Sequence, residues 1–200
     1  MTPLGPESVA DDPIVQFRAW YDDAVAAGVR QSDAMTLATT TPGGGVSART
    51  VLMRGVDARG IAFYTNLESA KAGEIAANPR AALVFHWREL ERQVRIVGPV
   101  TRLDVDEAER YWASRPRGHR LGAWASPQSQ PISAVELDAR LADVETRFAG
   151  SDPPLPPFWG GFVVGVDELE LWQGRPERLH DRVLYRRAPD GTFTRERLAP

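Results

Sequence analysis

From Ala34 onward the chain is cut into short β-prone runs by turn residues, and this punctuation limits the folds open to it more than any other feature. "AMTLATT" (34–40) and "VSARTVLMR" (46–54) flank "TPGGG", which reads as a hairpin loop. A turn at "DARG" leads to "IAFYT", and "RAALVFHW" and "QVRIVGPVTRL" follow as two more strands. The last third holds "FVVGV", "ELELWQ", "RLHDRVLYRR" and "TFTRERL", the final pair joined across "APDG". Short strands linked mainly by hairpins predict an antiparallel sheet, closed into a barrel. The fold class is mainly β (α+β), with helices at the periphery.

Those helices carry their own signals. "DDPIVQFRAWYDDAVAAG" has Asp12 as N-cap, Pro13 at the first helical position and Gly28 as a stop, with Ile14, Phe17, Trp20, Tyr21 and Ala24 on one face. "NLESAKAGEIAAN" reads as a short helix starting near Asn66 or Ser69. "DVDEAERYWASR" and "ISAVELDARLADVETRFAG" are amphipathic, and "PRGHRLGAWASPQSQP" between them reads as loop or short helix. No linker divides the chain, so a single domain is expected over 12–200, preceded by a short flexible arm at 1–11.

Composition removes several classes of function. A net charge of −3 argues against a nucleic-acid binder, which needs a basic face. With no cysteine there is no disulfide, thiolate catalysis or cysteine metal site. His86, His119 and His180 lack HxxxH or HExxH spacing, so no metal site is expected. Phosphate loops of the GxxxxGK[ST] type, GxGxxG turns and GxSxG elbows are absent as well. No apolar run approaches the about 18 residues of a membrane span, and "MTPLGPESVADDP" has neither a basic nor an apolar leader region. The cytoplasm is the expected location.

What remains is a set of groups suited to anions. The 24 basic residues comprise Lys71 and 23 arginines, which makes the lysine the more informative position. Thr65, Ser69 and Lys71 cluster around the opening turn of a helix, where free N–H groups favour a phosphate. "RTVLMR" alternates Arg49, Val51 and Met53 with Thr50, Leu52 and Arg54. Gln93 interrupts a strand that should otherwise be buried, and Tyr111 and Arg115 fall at i and i+4. In "WQGRPERLHDRVLYRR", an extended chain would line up Arg178, His180 and Arg182 on one face, opposite Leu179 and Val183.

Taken in order, "RTVL", "FYTN", "NPRAAL", "ERQVRIVG", "SRPR", "LGAW", "QSQPIS", "PPFWGGF", "WQGRPERLHDR" and the terminal "RLAP" resemble the pyridoxamine/pyridoxine 5′-phosphate oxidases from about Asp12 to Pro200. That resemblance implies an FMN-binding split barrel, working as a homodimer with the flavin at the interface. It implies oxidation of pyridoxamine or pyridoxine 5′-phosphate to pyridoxal 5′-phosphate, with oxygen as acceptor and hydrogen peroxide as product. By position it assigns FMN to Arg49, Val51, Leu52, Tyr64, Thr65, Lys71, Gln93, Gln128, Ser129, Trp172 and Arg182. Substrate falls to Arg54, Tyr111, Arg115, His119, Arg178 and His180, with Arg178 and His180 nearest the chemistry.

The chain departs from the family pattern in several places. Arg54 replaces a usual lysine, Ala70 a common arginine, and His119 a smaller residue. The segment before Asp11 is short and acidic. Related flavin oxidases of phenazine biosynthesis, or a non-catalytic flavin or pyridoxal-phosphate carrier on the same barrel, are the alternatives.

Overall fold

Helix α1 (Pro13–Ala26) begins where the sequence places it: the Asp12 carboxylate accepts from the N–H groups of Ile14 and Val15, and Pro13 occupies the first turn. It is followed by β1 (Ala34–Thr40) and β2 (Val46–Leu52), a hairpin closed by Thr41 N–H to Gly45 O and Gly44 N–H to Thr41 O. The computed structural model describes residues 4–200. Further along come β3 (Gly55–Asp57), β4 (Gly60–Asn66), α2 (Ala70–Ala77), β5 (Arg80–Trp87) and β6 (Arg92–Arg102). Then follow α3 (Val105–Ser114), α4 (Arg117–Ala125), α5 (Ala134–Arg147), β7 (Trp159–Val164), β8 (Glu168–Gln173), β9 (Asp181–Arg187) and β10 (Phe193–Leu198).

The ten strands among the described residues are one more than the nine runs read from the sequence. The run 46–54 stops at Leu52, and Gly55–Asp57 forms a separate short strand against β4. All pairings are antiparallel. The path β2–β1–β5–β6–β7–β4–β3 curls into a barrel, while β8, β9 and β10 extend from β6 as a wing. At the seam, Arg54 N–H donates to Ala62 O (2.8 Å). This is the antiparallel split barrel with peripheral helices that the family resemblance implied.

Alternation places Leu37, Phe63, Leu83, Phe85, Val94 and Ile96 in the core. Helix α1 lies across that core. Phe17 is fully buried, its ring 5.0 Å from Phe85 and 6.2 Å from Trp87. The proline-rich connector uses its carbonyls, which have few local donors, to accept from indoles: Trp112 Nε1–H to Pro153 O and Trp124 Nε1–H to Pro154 O. That ties α3 and α4 down beside the barrel.

Of the arm expected at 1–11, residues 1–3 lie outside the described residues. Residues 4–10 contact the wing. Leu4 N–H reaches Asp181, Tyr185 donates to Ala10 O, and Arg195 and Arg197 donate to Val9 O and Leu4 O. Val9 joins the main core. No helix among the described residues is long and apolar enough to cross a membrane.

Phe17→Ala removes the ring that joins α1 to the barrel. Urea unfolding is expected to show a loss of about 3–5 kcal/mol, because neighbouring Phe85 and Trp87 are too large to collapse into the void.

Candidate functional site

A cavity of about 530 Å³ opens between the β2 and β4 strands on one side and α3 and α4 on the other, a size suited to a small-molecule ligand. Ten of the residues singled out in the sequence line it: Val51, Leu52, Arg54, Tyr64, Thr65, Lys71, Tyr111, Arg115, His119 and Gln128. Its two ends differ in chemistry, and each is cationic.

At one end Lys71 sits in the first turn of α2. A lone lysine is usually solvated, but this one is only 8% exposed. Its Nζ donates to Thr65 Oγ1, Ser69 Oγ and Gln128 Oε1, each at 3.2 Å. All three acceptors are neutral, and no carboxylate forms an ion pair with Lys71 among the described residues. Burial, with Arg49 nearby, pushes its pKa below the ordinary lysine value, against a smaller opposing pull from Glu74. Arg49 itself faces the other way. It bonds Glu74 (2.8 Å), Ser47 (2.7 Å) and Thr39, and it does not line the cavity.

At the other end three rings stack nearly parallel. Tyr64 is 4.2 Å from Tyr111 and 5.4 Å from Trp159. Gly161 makes this possible, since a Cβ there would sit 2.7 Å from the Tyr64 ring. Arg115 packs its guanidinium over Trp159 (4.8 Å) and Trp112 (5.1 Å). Helix α3 ends at Ser114, so Arg115 is extended, as suits a residue preceding proline, and it shares the cavity with Tyr111 from beyond the helix. Its Nη1 is buried with no hydrogen-bond partner among the described residues. Burial lowers its pKa, Tyr111 opposes that, and Arg54 and Arg120 add to it. Arg54 is held by Asp33 (2.5 Å).

The remaining positions lie elsewhere in the same chain. Gln93, Ser129, Trp172, Arg178, His180 and Arg182 do not line this cavity. The expected row of Arg178, His180 and Arg182 on one strand face is not formed. Strand β9 begins only at Asp181, because Pro176 starts a 3-10 turn and both Glu177 (φ 58°) and Arg178 (φ 63°) take left-handed conformations. Cross-strand register instead gathers Gln93, Trp172 and Arg182 side by side, with the His180 ring 4.6 Å from Trp172. Sequence reasoning assigned no role to Trp159, although a tryptophan before two glycines in "PPFWGG" signals close ring packing. Thr50, Asn66, Gly122, Ala123 and Ser126 were also missed, and as small or neutral groups they carried no signal.

Residues 21–144 match the family model described as pyridoxamine 5′-phosphate oxidase. Residues 159–200 match that of the pyridoxine 5′-phosphate oxidase C-terminal dimerisation region. A pyridoxine/pyridoxamine 5′-phosphate oxidase of Rubrobacter xylanophilus is 52% identical over 198 residues, covering 98% of this chain and 91% of the relative. One from Cupriavidus metallidurans is 49% identical over 201 residues, covering 100% and 94%. Among solved structures, PhzG from Burkholderia lata, in complex with tetrahydrophenazine-1-carboxylic acid, superimposes with a TM-score of 0.92 at 29% identity, over 97% of this chain and 95% of that one. A pyridoxamine 5′-phosphate oxidase-related, FMN-binding protein from Nostoc punctiforme shares the fold, with a TM-score of 0.76 at 21% identity over 96% and 99%.

In the wing, Glu170 is buried and accepts from Arg182 Nε (2.7 Å) and Arg95 Nη2 (2.8 Å). Burial alone would raise its pKa, but the bonds from Arg182 and Arg95 outweigh it and hold the carboxyl below its ordinary value of 4.5. A depressed folded pKa gives stability that is fully present above the unfolded value and lost as pH falls through the folded one. The stability difference between the wild type and Glu170→Gln, from urea unfolding, is therefore expected to be constant above about pH 4.5 and to shrink at lower pH.

Proposed function

The chain belongs to the pyridoxamine 5′-phosphate oxidase family, and from that premise we propose that it is an FMN-dependent oxidase making pyridoxal 5′-phosphate from pyridoxamine or pyridoxine 5′-phosphate. Oxygen is the acceptor and hydrogen peroxide a product. One observation carries this reading: a single cavity holds a buried lysine, Lys71, and a half-buried arginine, Arg115, whose Nη1 is buried without a hydrogen-bond partner, and neither is in an ion pair among the described residues. A buried charge without a counter-charge is costly, so each end calls for an anion. Two phosphate esters meet that demand, one from the cofactor and one from the substrate.

The residues fit FMN. Lys71, Thr65 and Gln128 supply donors at the end where α2 begins, so the cofactor's phosphate belongs there. Arg49 adds positive charge behind Lys71, and Val51, Leu52 and Tyr64 offer apolar wall to a flat ring. The absence of arginine at Ala70 leaves Lys71 as the principal phosphate donor of α2. Arg115, with Arg54, Tyr111 and His119, seats the substrate phosphate at the far end. Arginine suits this task because its planar fork stays charged at every relevant pH.

Bound flavin would supply the two-electron redox chemistry, taking hydride from the carbon that bears the amine or hydroxyl and passing the electrons to oxygen. The chain's residues hold that carbon in place and exclude water from it. Gln93 lies on β6 where it pairs with the wing, and Trp172, Arg178, His180 and Arg182 lie on the wing, all outside the cavity of their own chain. In a homodimer built through the C-terminal region, the wing of each protomer completes the cavity of its partner. Arg178 and His180 then orient the substrate ring, and Trp172, Gln93 and Arg182 border the flavin. Arg182 is steadied for this by Glu170.

The likeness to PhzG favours a second reading, oxidation of a larger fused ring. Turnover separates the two. Protein loaded with FMN is expected to form pyridoxal 5′-phosphate and peroxide from at least one of the two B6 phosphates, and failure with both removes this proposal. Lys71→Met is expected to weaken FMN binding by roughly 10- to 100-fold in flavin-fluorescence titrations, as fits the loss of a charge-assisted bond of about 1.5–3 kcal/mol. Arg115→Met should raise KM by a similar factor and leave FMN affinity within about twofold.

A further inference from the structure

Between β8 and β9 the chain runs through two consecutive non-glycine residues in the left-handed region, Glu177 and Arg178. Such conformations persist only where the surroundings over-determine them, so the restraints on this loop have functional weight. At its entrance Gly174 N–H donates to Glu91 O at 2.7 Å, and a Cβ at Gly174 would lie 2.8 Å from Glu91 Cβ. At its exit stands Asp181, 1% exposed. The Asp181 carboxylate accepts from Arg175 Nη1 at 3.2 Å on each oxygen, from Arg197 Nη2 at 2.5 Å and from Leu4 N–H at 3.1 Å.

Arg175 therefore reaches across the loop that it begins. Its side chain is fixed by Asp181, and its backbone N–H donates to His180 Nδ1 at 3.2 Å. A neutral imidazole that accepts at Nδ1 carries its proton on Nε2. The indole of Trp172 packs against the same ring.

We propose that Arg175 and Asp181 are positioning residues: their ion pair closes the 174–181 loop and holds His180 as the Nε2–H tautomer, a directed hydrogen-bond donor. The consequence for turnover rests on the oxidase reading above, in which that donor meets an oxygen acceptor on the substrate ring. Neither residue touches substrate or cofactor; both act through His180 and Arg178.

Arg175→Met tests this with little risk to the fold, because the Arg175 side chain is 41% exposed and Asp181 keeps its bonds from Leu4 and Arg197. The protein has three histidines, so long-range ¹⁵N–¹H imidazole spectra are tractable, and His180→Gln assigns the His180 signals. The wild type is expected to show the Nε2–H pattern at His180, and Arg175→Met an average of both tautomers. In FMN-loaded protein, kcat with pyridoxine 5′-phosphate should fall at least about tenfold, with FMN affinity within about twofold and the melting temperature nearly unchanged. Arg175→Lys should recover part of the loss, since it restores a charge at that point. Asp181→Asn should lower kcat in the same direction while still binding FMN.

An unchanged His180 pattern in Arg175→Met overturns the proposal, and so does turnover within twofold of the wild type. Should the wild type itself oxidise neither B6 phosphate, the oxidase reading falls, and the His180 spectra alone decide the clamp.

Discussion

Strand β6 is shared by two structures, and the contact that permits this is a close approach of backbone to backbone. Its first half, Arg92–Val97, pairs with β8 of the wing, and its last residues, Val100–Arg102, pair with β7 of the barrel. The exchange of partners occurs at Gly98 and Pro99. There Gly165 O comes so near that a Cβ on Gly98 would lie 2.0 Å from it, while Gly165 N–H donates to Pro99 O (2.8 Å). Only glycine allows that approach. One consequence reaches the site: cavity residues sit on the barrel and its flanking helices, whereas Trp172 and Arg182 sit on the wing, beside Gln93 on the half of β6 that pairs with it. Within one chain the two groups stay apart, on the two sides of the shared strand.

Buried charge is distributed unevenly across this frame. Glu74, Glu170 and Asp181 are all buried, and each accepts from at least one arginine. Lys71, buried in the cavity, and Arg115, half-buried there, have no such partner among the described residues. The negative charges are structural and settled; the positive ones are left open. An arrangement of that kind costs stability without ligand and recovers it when an anion binds, so ligand should raise the melting temperature by mass action.

Much of this was legible from residue types alone. The Asp12–Pro13 start of α1, the "TPGGG" hairpin and the alternation of β5 and β6 rest on local rules that the folded chain obeys. Lys71 was conspicuous because the chain otherwise uses arginine. The loop 174–181 was not legible: "RLHDRVLYRR" alternates like a strand, yet the turn opened by Pro176, held by Asp181 and the Gly174–Glu91 contact, keeps its first three residues out of the sheet. Arg49 was assigned to FMN by its position in the family resemblance, and its side chain turns from the cavity. Its actual partner, Glu74, lies 25 positions away on another element, and no local pattern links the two. The contacts of the arm were hidden for a similar reason, since their partners are on β9 and β10 at the far end of the chain.

Why is that one position lysine in a protein with 23 arginines? Three oxygens surround its Nζ at equal distances of 3.2 Å: two hydroxyls and an amide carbonyl, from β4, the turn before α2 and the loop after α4. A tetrahedral ammonium can direct three hydrogens to three such points and still act as a point charge towards an anion. A guanidinium holds its donors in one plane, needs more volume, and would leave part of this set unmet. Arginine serves where a fork meets a carboxylate, as at Glu74, Glu170 and Asp181. The geometry of the acceptors, and not the sign of the charge, decides which of the two residues stands there.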